Sequence, residues 1–207
     1  MKINKKNVTP AIIAVAVYLL AYQIPKIVVD PSRLHFLCTA LDDKIPFVSY
    51  SIYIYIGAFF QWAYCAYIVC KQDEMTANKV FSAIAIGSFI GFLTFMIYPT
   101  AVNRPEIVGQ GFTNDFCRFI YSVDNIICAC PSFHCFCSTI VVLIYKKYEC
   151  VSKKTINFNI VYSLLVFIST LLTKQHYIVD ILPGILLAFI SIYIGDKFPI
   201  TKYIKSI

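Results

Sequence analysis

The sequence predicts an all-α, polytopic membrane protein: six transmembrane helices in one bundle, with an interfacial helix between the first and the second. Three observations predict it. Hydrophobic residues fill 59% of the 207 positions and charged residues only 14%, against about 45–50% and about 25% in soluble domains. Mean hydropathy is +0.72. The charges fall in short bursts between long apolar runs, each near the roughly 20 residues that a spanning helix needs. Apolar surface on this scale requires lipid as its solvent, which excludes a soluble domain. The chain reads as one membrane-embedded domain over 1–207, without internal repeats.

Six apolar stretches carry the expected spans, at about 10–29, 46–70, 79–98, 126–145, 156–173 and 177–195. The first follows Lys2, Lys5 and Lys6, which invites a signal-peptide reading. The stretch is long for such a segment and no small-residue cleavage site follows it, so it is expected to stay as the first membrane helix. Connections are short except at roughly 26–45 and 99–125. In the first of these, Asp30-Pro31 can start a helix, and Leu34, Leu37, Cys38 and Leu41 follow at helical spacing. An amphipathic helix lying in the membrane interface is expected there.

The net charge of +7 is spread over loops and forms no stripe, which excludes nucleic acid as a partner. Topology accounts for it. With the N-terminus inside, Lys2, Lys5, Lys6, Lys71, Lys79, Lys146, Lys147, Lys153, Lys154, Lys197, Lys202 and Lys205 are inner cations. The outer ones are Lys26, Arg33, Lys44, Arg104, Arg118 and Lys174. The excess follows the positive-inside rule and predicts both termini on the cytoplasmic side. Among the nine cysteines, Cys128, Cys130, Cys135 and Cys137 surround His134. Their Cys-x-Cys spacing is poor for zinc, so they are read as small apolar filler and no metal ligand is assigned.

The outer side gathers the unusual polar residues. Asn103-Arg104-Pro105 follows the third stretch, Pro131-Ser132-Phe133-His134 opens the fourth, and Thr173-Lys174-Gln175-His176-Tyr177-Ile178-Val179-Asp180 joins the fifth to the sixth. Ionisable residues at a membrane are costly and mark function by default. His176 and Asp180 are four apart, on one helical face. A carboxylate on one imidazole nitrogen fixes the tautomer and leaves the other free to attack. Pro131 suits the first turn of a helix, and the amides of Ser132, Phe133 and His134 would then form an anion site at that helix start. Arg104 offers planar donors for phosphate oxygens. Together these describe a phosphoryl-transfer site. Each element also has an ordinary structural role open to it: interfacial histidine, head-group anchor, helix cap. Their coincidence on one face favours the site. His35 lies in the first outer loop without such company and is read as structural.

These motifs resemble the type-2 phosphatidic acid phosphatase superfamily, built on a six-helix core. The family pattern is Lys-x6-Arg-Pro, Pro-Ser-Gly-His and Ser-Arg-x5-His-x3-Asp; here it reads Arg104-Pro105, Pro131-Ser132-Phe133-His134, and Ser169 with His176 and Asp180. The resemblance implies a metal-independent lipid phosphatase or phosphotransferase that needs no cofactor. It assigns His176 as the nucleophile that becomes a phosphohistidine, Asp180 as its orienting acid and His134 as general acid. Arg104, Ser132 and the Phe133 amide would bind phosphate. Its substrate would be a membrane lipid carrying a phosphate, diphosphate or phosphodiester. The family lysine falls at Ile97, the glycine at Phe133 and the arginine at Thr170, and Lys174 is the nearby cation for the phosphate. The tyrosine after His176 and Tyr98-Pro99-Thr100 are similar to the inositol phosphorylceramide and sphingomyelin synthase branch. The missing cations keep open the alternative of a non-catalytic relative; a small transporter is the other alternative, though the ionisable residues sit at helix ends.

Overall fold

The computed structural model describes residues 2–199. Among the described residues the chain forms seven α-helices: α1 (Val8–Val28), α2 (Ile52–Val69), α3 (Glu74–Ile97), α4 (Phe112–Val123), α5 (Phe133–Tyr148), α6 (Lys153–Leu172) and α7 (Ile178–Lys197). Five helical segments are long and apolar enough to cross a membrane: Lys5–Val28, Ser49–Val69, Glu74–Ile97, Lys153–Leu172 and Ile178–Lys197. The stretch expected as a sixth, 126–145, is helical only from Phe133. With 16 residues, α5 is about 24 Å long at 1.5 Å per residue, short of a hydrocarbon core of about 30 Å. Its start is set by Ser132, whose hydroxyl accepts the Cys135 N–H at 3.3 Å. Pro131, expected inside the first turn, therefore lies just before the helix, after a cis Cys130–Pro131 bond.

The interfacial helix expected between the first two spans does not form. Residues 31–33 and 42–44 make 3-10 turns, and between them His35–Phe36 is a short strand, β1, paired in parallel with β2, Thr100–Ala101. The helical spacing of Leu34 and Leu37 is overridden because the two side chains join different apolar clusters. The His35 ring stacks on Tyr98 at 4.0 Å between centroids. An amphipathic helix occurs instead in the second long connection, as α4. Its Cys117 and Ile120 are buried while Phe112, Phe119 and Val123 face outward.

α3 packs on α1 and α7, α5 packs on α6 and α7, and α2 on α5 and α6. Gly91 of α3 sits under the Phe133 ring, where a Cβ would lie 2.3 Å from a ring carbon. Mid-bundle polar groups pair in part: the Gln61 amide nitrogen donates to Asn159 at 3.0 Å and Ser163 at 3.1 Å, while Gln61 Oε1 meets no partner among the described residues. The two ends of the bundle differ. One holds Lys6 paired with Glu74, and Lys147 with Asp196. The other gathers the ends of α1, α3 and α6 with the starts of α2, α5 and α7. Lys202 and Lys205, counted among the inner cations, lie outside the described residues.

Candidate active site

The second end is knitted before any helix begins. Thr100 accepts the N–H groups of Cys128 and Ala129 on its carbonyl and that of Cys130 on its hydroxyl, the last at 2.7 Å. The Tyr177 hydroxyl accepts the Asn103 N–H at 2.9 Å. The arginine segment is thus fixed against both the segment that leads into α5 and the α6–α7 turn.

In that turn, His176 Nδ1 lies 3.3 Å from Asp180 Oδ2. Asp180 is fully buried and its Oδ2 also accepts the Tyr177 N–H at 2.8 Å. With Nδ1 turned to a carboxylate, Nε2 of His176 is the nitrogen left to carry the lone pair. His134 faces it across 6.2 Å between ring centroids, about twice the ~3 Å over which a reacting atom meets its partners. The His134 ring is clamped by Tyr55, stacked at 3.9 Å, and by Phe59 and Trp62. Its Nε2 meets no partner among the described residues.

Ser132 links the two histidine segments. Its N–H donates to the Asp180 carbonyl at 3.1 Å while its hydroxyl caps α5. Gly184 permits this closeness, since a Cβ there would lie 2.5 Å from the Ser132 carbonyl oxygen. The Phe133 amide belongs to the first turn of α5, whose N–H groups a helix cannot pair internally. The Phe133 side chain is core, packed on Tyr18, Tyr22, Phe95 and Phe136.

Arg104 reaches the end of α4. Its guanidinium donates to the carbonyls of Tyr121 (3.3 Å), Asp124 (2.7 Å) and Asn125 (3.1 Å), and to Gln175 Oε1. The unpaired carbonyls and negative dipole end of a helix attract a cation in this way. The Asp124 carboxylate accepts Lys26 Nζ at 2.7 Å and the hydroxyls of Tyr22 at 3.0 Å and Tyr55 at 3.4 Å. Burial pushes Asp124 up, but the Lys26 ammonium, Arg104 and the Tyr22 hydroxyl outweigh it and hold the carboxyl below its usual range. Lys174, expected beside the phosphate, instead donates to the Asp42 carbonyl at 2.8 Å from a left-handed backbone turn at φ 52°. Asp42 in turn accepts the Ile178 N–H at 2.8 Å, so the loop between α1 and α2 pins the start of α7.

His134, His176 and Asp124 open on one cavity of about 260 Å³, walled by Tyr18, Tyr22, Tyr55, Phe59 and Phe133. A second, almost wholly apolar cavity of about 330 Å³ shares Tyr18, Leu19 and Phe59 with it and continues toward Val69 and Ile84. The structure therefore brings Arg104, Ser132, His134, His176 and Asp180 to one end of the bundle and turns Lys174 aside. No local pattern in the sequence marks Asp124 or Asp42; Lys26 shows there only as a cation, and Gln175 only as a member of the polar segment around His176.

A family model described as the PAP2 superfamily matches residues 26–194. No curated protein and no solved structure matches the chain.

Proposed function

Since the chain belongs to the PAP2 superfamily, we propose that it is an integral membrane lipid phosphatase or phosphotransferase working through a phosphohistidine. One observation carries the reading: the His176–Asp180 pair faces His134 across 6.2 Å on a shared cavity. His176 Nε2 attacks phosphorus, and the bond from phosphorus to the leaving lipid oxygen breaks. His134, protonated beside the negative charge of the bound phosphate, gives that oxygen a proton. Asp180 stabilises the charged phosphoimidazole through Nδ1–H. An acceptor oxygen then attacks phosphorus, the P–N bond breaks, and the acceptor's proton returns to His134. Arg104, the Ser132 hydroxyl and the Phe133 amide bind the phosphoryl oxygens. No metal or other cofactor enters the scheme.

The two adjoining cavities support a lipid substrate, its tail in the apolar one beside α1 and α2 and its head at the histidines. The aromatic walls support transfer to an alcohol over hydrolysis, because water is disfavoured there. That choice accords with the inositol phosphorylceramide and sphingomyelin synthase-like branch. The sorting of cations supports both termini in the cytoplasm and the site at the extracytoplasmic face.

The test is a panel of lipid phosphates, diphosphates and phosphodiesters in vesicles holding the purified chain, with chelator and with or without alcohol acceptors. The expected result is metal-independent release or exchange of the phosphoryl group by the parent and none by His176→Ala. Full activity in that variant would sink the mechanism.

A further inference from the structure

Gln175 immediately precedes His176 and is 4% exposed. Its N–H donates to the Thr170 carbonyl at 2.9 Å, which fixes the residue in the turn. Its Oε1 accepts from Arg104 Nη2. A guanidinium only donates, so the amide oxygen must face Arg104 and the amide nitrogen must turn away. That nitrogen meets no acceptor among the described residues, and neither does Arg104 Nε–H. Buried donors left without an acceptor are costly and call for an explanation. Both deficits are of acceptors, they belong to two directly bonded side chains, and one of those precedes the histidine read above as the nucleophile. An oxygen-rich anion satisfies both.

We propose that Gln175 is a phosphoryl-binding residue: its Nε2 donates to a non-bridging oxygen of the transferred group, and its Oε1 aims Arg104 so that Nε–H meets the same group. The assignment rests on the phosphohistidine reading. Gln175 adds a donor without adding charge, in a site where two cations, Lys26 and Arg104, already share the one Asp124 carboxylate.

Gln175→Glu separates a donor from a structural prop. Glutamate has nearly the same size and still accepts from Arg104, but it offers no N–H to an oxyanion. The experiment measures binding of orthovanadate to the full chain in lipid nanodiscs, together with labelled phosphohistidine formation from the lipid phosphate that the parent uses. Thermal unfolding of each variant verifies that it is folded. Gln175→Glu and Gln175→Ala are both expected to bind orthovanadate about tenfold to a hundredfold more weakly, the range for a lost hydrogen bond to a charged group. Parent-like orthovanadate binding by folded Gln175→Glu overturns the assignment, as the prop role alone would then suffice. If that occurs while the parent still forms phosphohistidine, only Gln175 is misassigned. If the parent neither binds orthovanadate nor forms phosphohistidine, the reading of the whole site falls with it.

Discussion

The backbone N–H of Ser132 donates to the carbonyl of Asp180 at 3.1 Å. Through this bond the residue that caps α5, two positions before His134, is held against the residue whose carboxylate meets His176. The two histidines keep their separation because the helix starts that carry them are tied backbone to backbone.

Gly184→Ala tests that tie. The added methyl would lie 2.5 Å from the Ser132 carbonyl oxygen, a backbone atom that cannot swing aside. Overpacking of this kind costs about 1–3 kcal/mol. The expected outcome is a lower unfolding temperature and a fall in turnover larger than the stability loss explains, because α5 and α7 must part at the site. Unchanged turnover would show that the close approach does not set the site.

Asp180→Asn keeps the side-chain shape and removes the charge. Losing its charged hydrogen bonds costs folding on the order of 1.5–3 kcal/mol, whereas misorienting His176, the proposed nucleophile, is expected to lower turnover by about a hundredfold or more. Thermal unfolding and single-turnover kinetics measure the two. A variant that fails to fold would point to a purely structural pair.

His134→Ala should depend on the leaving group. A poor leaving alkoxide needs the proton and is expected to lose about 10²–10⁴-fold in rate. A nitrophenolate ester needs none and should react nearly as fast as with the parent. Equal losses on both substrates would contradict the general-acid role.

Acid should loosen the Lys26–Asp124 tie in a defined window. The folded pKa of Asp124 is depressed, so its contribution is complete above the ordinary carboxylate value of about 3.9 and fades as pH falls through the lower folded value. Removing one partner of so buried a pair costs on the order of 3 kcal/mol. Asp124→Asn is therefore expected to unfold at lower temperature than the parent at pH 7, with the gap closing as the pH drops below about 4. A gap that stays constant with pH would separate the effect from the carboxylate charge.

Five of the six expected spans are legible because apolar length is a local property, and so is the pairing of His176 with Asp180, although His176 stands in the turn just before α7 and not on the helix itself. The contacts that complete the site are not legible. Lys26 meets Asp124 across 98 positions and Arg104 meets Gln175 across 71, and no spacing rule reaches that far. The same physics hides the shape of the loop between α1 and α2. Leu34, Leu37, Cys38 and Leu41 fit a helix, yet pairing of His35 and Phe36 with Thr100 and Ala101 satisfies that backbone as a strand. The helix α4 was missed for the opposite reason: 12 residues with Asp115 and Arg118 among them are too short and polar to register as a span.

The most direct test of the central claim is to quench the chain during turnover of a lipid labelled at phosphorus, then map the label by residue. The account expects an acid-labile, base-stable label on His176, absent from His176→Ala and accumulating in His134→Ala when an activated ester is used without an alcohol acceptor. Turnover with no label on His176, or a label on His134 instead, would contradict it.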